Sequence, residues 1–182
     1  MKLPLIALTF VLAAAVPTLA SNQPYSGQQH RTIKSMSAAE VEGHLKGYGL
    51  GYAKTAELNH YPGPAHLREL TKELGLSKDV TQQILAIEEQ MLADAKKLGR
   101  HIVDLERKLD MMFVHAQPSP ELVSKLTKEI GTLQGELRAI HLNAHLDVRP
   151  LLSKDIVERY DALRGYTSQD TSTPEQTHHH GH

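Results

Sequence analysis

The chain has 182 residues, with 20 lysines and arginines against 21 aspartates and glutamates, so it carries no global basic field to hold nucleic acid. The absence of cysteine excludes a disulfide framework, a thiol nucleophile and a lipid anchor on an amino-terminal Cys. With no tryptophan and two phenylalanines, the core has to be built from aliphatic side chains and methionine.

Lys2 is followed by an apolar run over residues 3–16, and Thr18-Leu19-Ala20 puts small residues at the minus-three and minus-one positions of a signal-peptidase site. Residues 1–20 therefore read as a signal peptide cleaved near Ala20, which predicts a periplasmic protein; the run is shorter than the roughly 20 residues of a membrane span. Residues 21–36 are polar at first and are expected to be a flexible lead-in. Ser37-Ala38-Ala39-Glu40 has the spacing of a capping box and predicts a short helix. Gly43, Gly47, Gly49 and Gly51 then punctuate the chain. Gly47-x-Gly49-x-Gly51 has neither a preceding strand nor a following Lys-Ser/Thr, so it predicts a bend and not a phosphate cradle. A helix is expected over 52–59, a turn at Tyr61-Pro62-Gly63-Pro64, and a further helix over 65–74 ending at Gly75.

The strongest signal follows. Ile84, Ile87, Met91, Ala95, Leu98, Ile102, Leu105, Leu109 and Met112 recur at steps of three and four, drawing one apolar stripe along a helix. Leu122, Leu126, Ile130, Leu133, Leu137, Ile140, Ala144 and Val148 repeat the pattern after the break at Gln117-Pro118-Ser119-Pro120. Two stripes separated by one turn predict a long antiparallel helical hairpin over residues 77–149, each arm running roughly seven turns at about 5.4 Å per turn. Ser77 and Ser119 are its N-caps, with Pro120 at the first helical position, and Pro150 ends the second arm. Ser153 recaps a last helix to about residue 164, and the tail 166–182 has no apolar periodicity and is expected to be disordered. The expected fold is all-α, one domain over 37–165, with short helices flanking the hairpin.

The 12 histidines raise the question of a metal. His178, His179, His180 and His182 form an imidazole cluster that suits Zn, Ni or Cu, and Gly181 interrupts what would otherwise resemble a purification tag. His141 and His145 are four apart on the second arm and project from one helical face. Folding the hairpin about its turn sets them near Glu88, Met91 and Asp94, with His44, His60 and His66 available from the preceding segments; His101 and His115 are expected to be solvated. The competing reading makes His141 and His145 flank residues covering the seam. Leu142 stands where a zinc protease needs its glutamate, and no nucleophile-base arrangement is evident, so no enzyme is expected.

Leu76-Ser77-Lys78-Asp79-Val80 before the hairpin and Leu152-Ser153-Lys154-Asp155-Ile156 after it resemble the paired Leu-Thr-x-x-Gln motifs of the Spy/CpxP family of periplasmic stress proteins, with an apolar residue in place of each Gln. The His-rich tail also looks like the branch of periplasmic heavy-metal sensors and zinc-resistance proteins. The resemblance implies a cradle-like homodimer of hairpins acting as an ATP-independent chaperone for unfolded or stressed envelope proteins, or as a damper of signalling through a membrane sensor protein. Lys96, Lys97, Arg100, Arg107 and Arg138 would supply the basic part of a client surface, and an ordinary solvated helix face is the alternative. No cofactor is required; Zn, Ni, Co or Cu would bind as a modulating ligand, at His141 and His145 by similarity of spacing to the sensor branch. A dedicated metal sensor or scavenger without chaperone activity stays open beside the chaperone reading.

Overall fold

The computed structural model describes residues 23–167. The expected signal peptide and His178, His179, His180 and His182 lie outside the described residues. Met1–His30 is one unit, whose described part holds a turn and a 3-10 turn at Gln28–His30. Arg31–His182 is the second unit and carries seven α-helices: α1 (Ala38–Lys46), α2 (Lys54–Glu57), α3 (Pro64–Glu69), α4 (Thr71–Leu74), α5 (Lys78–Val114), α6 (Pro120–Val148) and α7 (Lys154–Arg164). Among the described residues there is no strand, and no helix is long and apolar enough to cross a membrane.

Four serines start the helices that matter. Ser37 Oγ accepts the Glu40 amide at 3.2 Å while the Glu40 carboxylate accepts the Ser37 amide at 2.7 Å, the reciprocal box the spacing predicts. Ser77, Ser119 and Ser153 accept the amides of Val80, Leu122 and Ile156 in the same way. α6 stops at Val148, and a 3-10 turn over Arg149–Leu151 accommodates Pro150, which has no amide to continue the helix. The single helix expected over 65–74 is two pieces, α3 and α4, because the backbone opens at Leu70, φ −98° and ψ 14°.

The long helix α5 packs against α6. Ala95, Ile102, Leu105, Leu126, Ile130, Leu133 and Leu137 form one buried cluster, and Leu98, Leu109, Met112, Leu122 and Ile140 pack on its margins. Each fully buried aliphatic side chain stabilises by roughly 1.5–3 kcal/mol, against about 1 kcal/mol for a cap, so the seam between the stripes dominates. A second cluster closes one end of the seam, where Leu67, Leu74 and Ile84 meet Val148, Leu152, Val157 and Tyr160.

A third contact was not expected. α1 lies on a different face of α5, and the end of the lead-in is packed there too: Ile33 and Met36 are buried against Val103. The Lys34 ammonium meets Asp110 at 3.2 Å and Ser35 Oγ donates to Glu106 at 2.8 Å. The packed body thus begins before the capping box, and residues 33–36 of the supposed flexible lead-in belong to it. The crossing is close enough to need glycine. A Cβ on Gly99 would overlap the His44 carbonyl, and one on Gly47, which sits at φ 72°, would lie 3.0 Å from the Leu92 carbonyl oxygen.

Gly99→Ala should therefore lower the urea midpoint, at unchanged slope, by an amount worth about 2 kcal/mol or more. Gly131→Ala and Gly135→Ala, where a Cβ meets nothing within 4 Å on α6, should raise it by about 0.5–1 kcal/mol. Equal effects at the three positions would contradict the close crossing.

Candidate functional site

α6 carries His141 and His145 one turn apart, and both are buried, at 3% and 8% exposure. They are not flank residues. His145 Nδ1 lies 2.7 Å from the Tyr61 carbonyl oxygen, which can only accept, so Nδ1 carries the proton and, in the neutral tautomer this selects, the lone pair is on Nε2. The ring sits over Gly63, where a Cβ would come within 2.9 Å of Nε2. A carbonyl behind the ring and a free Nε2 in front is the arrangement that orients a metal-ligating histidine.

His141 is held by packing. Tyr52 stacks on it at 6.2 Å between centroids and 18° between planes, and His44 tilts against the other side of the same tyrosine at 6.5 Å. His141 Nε2 and His44 Nδ1 are buried without a hydrogen-bond partner. Burial, then the neighbouring His145, lowers the His141 pKa from 6.5 to about 4; burial also lowers that of His44. Both rings are neutral at pH 7, which is the form that binds metal.

Glu57 of α2 ties the surroundings together. Its Oε2 accepts the Gly63 amide at 3.2 Å and lies 3.8 Å from His145 Nδ1. Its Oε1 accepts the Tyr160 hydroxyl and, at 3.2 Å, the Tyr166 hydroxyl, with Arg164 Nε at 3.7 Å. Burial first, and then the bond to Glu57, push the Tyr160 phenol up from its ordinary value of 10, so it stays a donor. With both oxygens engaged, Glu57 is a structural acceptor and not a free ligand.

These groups surround a cavity of about 590 Å³ lined by Gly49, Leu50 and Gly51 of the bend, by Glu57, Gly63 and His66, by Met91 of α5, by His141 and His145, and by Tyr166. The glycine bend is thus a wall of the site. Met91 joins the histidine pair as expected. Asp94 does not line this cavity: it lines an adjoining hollow with Met91, Ile140 and Asp147 and accepts from Gln90 at 2.8 Å. His60 pairs with Asp161 at 2.6 Å, away from the cavity lining, while His66 bridges Glu69 at 3.4 Å and Arg164 at 3.1 Å. His101 and His115 are exposed, His101 lying 3.5 Å from Glu129. Among the described residues no group of three or more His, Asp or Glu side chains is placed to hold a metal ion. Two imidazoles and a thioether, one nitrogen with a fixed lone pair and another orphaned, suit a borderline divalent ion but make only part of its coordination sphere.

Of the basic residues, Lys96 and Arg100 line an open groove of about 790 Å³ with Arg68, Glu88 and Glu89. Lys97, Arg107 and Arg138 do not line it, and Arg107 is engaged by Asp104 at 2.8 Å. Glu88, expected beside the histidine pair, instead lines this groove, 7% exposed and 2.9 Å from Arg68; sequence reasoning missed that ion pair. It also missed Glu57 and Tyr52. Tyr160 was missed too, although its helical spacing to Ile156 and Val157 was the signal that could have found it.

No family model matches this chain, and no similar protein is found among the curated proteins or the solved structures.

The depressed pKa values of His141 and His44 mean that below about 6.5 the unfolded chain binds protons the native chain refuses, so stability rises with pH and is lost as pH falls from about 6.5 toward 4. At about 1.4 kcal/mol per unit, His141 alone accounts for roughly 3 kcal/mol across that window. Urea unfolding at pH 7 and 4.5, in chelator, should show this loss, and His141→Gln should flatten it. An unchanged pH slope in that variant would contradict the assignment.

Proposed function

We propose that this chain is a periplasmic, ATP-independent chaperone-like protein of Spy/CpxP type, whose α5 and α6 form an antiparallel hairpin, paired with a second copy in a cradle for unfolded envelope proteins. Zn, Ni, Co or Cu acts on it as a modulating ligand through His141 and His145. The observation that carries the metal half is the buried pair itself: two imidazoles on one face of α6 opening on one cavity with Met91, the second hydrogen-bonded through Nδ1 to the Tyr61 carbonyl so that Nε2 faces the cavity. The client half is supported by Met111, Phe113 and Val114, which stand 41%, 59% and 51% exposed at the end of α5, and by the Lys96 and Arg100 groove. Apolar side chains beside cations suit an unfolded chain of mixed character.

A second reading, a metal sensor or scavenger without clients, is favoured by the wiring of the site. His145 bonds to the Tyr61 carbonyl and borders Glu57, and Glu57 holds Tyr160 and Arg164 of α7, so a metal drawing on His145 would be felt by another helix.

Aggregation of an unfolded client followed by light scattering, with the protein in chelator and in Zn²⁺, separates the two. Slowed aggregation in chelator, altered by Zn²⁺, is expected. Tight Zn²⁺ or Ni²⁺ binding by calorimetry with no effect on the client in either buffer would replace the chaperone reading by the sensor reading.

A further inference from the structure

Most side-chain donors on the cavity wall are already spent. Glu57 is engaged at both oxygens, by the Gly63 amide on one and by two tyrosine hydroxyls and Arg164 on the other. His66 Nε2 takes a hydrogen bond from Arg164 at 3.1 Å and its Nδ1 faces Glu69 at 3.4 Å, so neither nitrogen is spare. The Tyr166 hydroxyl donates to Glu57 at 3.2 Å and accepts from Arg164 at 3.2 Å. Among the described residues of the lining, that leaves His145 Nε2, the Met91 thioether, and the His141 imidazole, whose buried Nε2 has no hydrogen-bond partner.

Two imidazoles and one thioether fall short for a divalent ion. Zn²⁺ takes roughly four ligands and Ni²⁺ or Co²⁺ as many or more, so water would have to supply the rest. The wall beside these donors carries the side chains of Leu50, Ala53, Leu58, Pro64 and Ala65, which give such a water nothing to bond. Nor does the wall supply net negative charge, since Glu57 is matched by Arg164 and Lys54 is itself a cation. The cost of taking an ion out of water scales with the square of its charge, so a monovalent ion enters at roughly a quarter of the cost of a divalent one of similar size. A soft, monovalent ion content with few ligands meets all three conditions, and Cu(I) is the biological one, with a preference for thioether and imidazole.

We propose that the cavity takes Cu(I), held by His141, His145 and Met91. The thioether selects the ion, and the ion joins α5 to α6, because Met91 stands on the first and the histidines on the second. This inference rests on the reading that His141 and His145 bind metal, and it adds the third ligand and the charge of the ion.

The test titrates the full-length mature protein with Cu⁺ under anaerobic ascorbate, with Ag⁺ as a redox-inert ion of the same charge and softness, and with Zn²⁺. The readouts are the Met91 methyl resonance, the His141 and His145 ring resonances, and Cu⁺ affinity by competition with a chromophoric chelator. Cu⁺ and Ag⁺ should move all three signals together, whereas Zn²⁺ moves the rings at higher concentration and leaves the methyl fixed. Met91→Leu keeps the side-chain volume, so its urea midpoint should hold, while Cu⁺ affinity falls by roughly 100-fold, at the upper end of what an outer-shell change costs, and Zn²⁺ affinity is unchanged. If Cu⁺ moves the rings but not the methyl, or Met91→Leu weakens Cu⁺ and Zn²⁺ equally or not at all, Met91 is no ligand and the inference falls with the histidine-pair reading intact. Zn²⁺ binding at the rings as tightly as Cu⁺ overturns the choice of ion and likewise spares the pair. If no ion moves the ring resonances, both readings fail.

Discussion

The aliphatic seam between α5 and α6 is the constraint on which the remaining geometry depends. The chain has no tryptophan or disulfide to hold its parts, so the leucines and isoleucines from Ala95 to Leu137 set the register of the two long helices. That register brings Met91 of α5 to the same cavity as His141 and His145 of α6. A shift of one helical turn, about 5.4 Å, would separate them. The meeting of these three side chains is therefore a by-product of core packing: the apolar stripe continues past His141 through Ala144 to Val148, and the histidines occupy adjoining positions on the same buried side.

Around this frame α3, α4 and α7 bring apolar side chains to the end cluster, whereas α2 is held by polar contacts. α2 has four residues and no buried side chain, far too little to hold its place by packing. Its position comes from Glu57, whose two oxygens collect a backbone amide, two tyrosine hydroxyls and the approach of an arginine. Charge-assisted bonds of this kind are stronger than neutral ones, and removing one partner strands the rest. One carboxylate thus joins α2 and the turn before α3 to the end of α7, and the histidine pair is enclosed between them.

The sequence carried the parts of this fold that repeat locally. Serine caps have a fixed spacing to the amides they accept, and both apolar stripes of the long helices came out buried or half-buried. What stayed hidden is the second face of α5, where Glu88, Leu92, Ala95, Gly99 and Val103 also step by three and four. A charge and two small residues do not score as apolar, yet Glu88 is buried on Arg68 and Gly99 is buried under α1. The site was half legible. His141, His145 and Met91 followed from helical periodicity and the turn, whereas Glu57 and His44 sit on short helices and Tyr52 in the turn between them, and no periodicity says how such short pieces dock on α5 and α6. Asp94 shares a hollow with Met91, its neighbour at the i,i+3 step, but it faces Ile140 and Asp147 there and does not reach the cavity of His141 and His145, which a difference of one helical turn decides.

The crossing of α1 over α5 is made by two glycines, each receiving a carbonyl of the other helix: Gly99 faces the His44 carbonyl and Gly47 faces that of Leu92. Because both contacts are against main chain, sliding α1 along α5 by one residue would press Leu98 or Arg100 onto a peptide oxygen. The pair works as a ruler with a single mark. Gly49, where an added Cβ would lie 3.8 Å from His141 Nδ1, stands only two residues beyond Gly47. The clearance over that imidazole is thus measured off from residue 99 of a different helix, and drift at the crossing would be read directly as a change in the width of the cavity that His141 and His145 line.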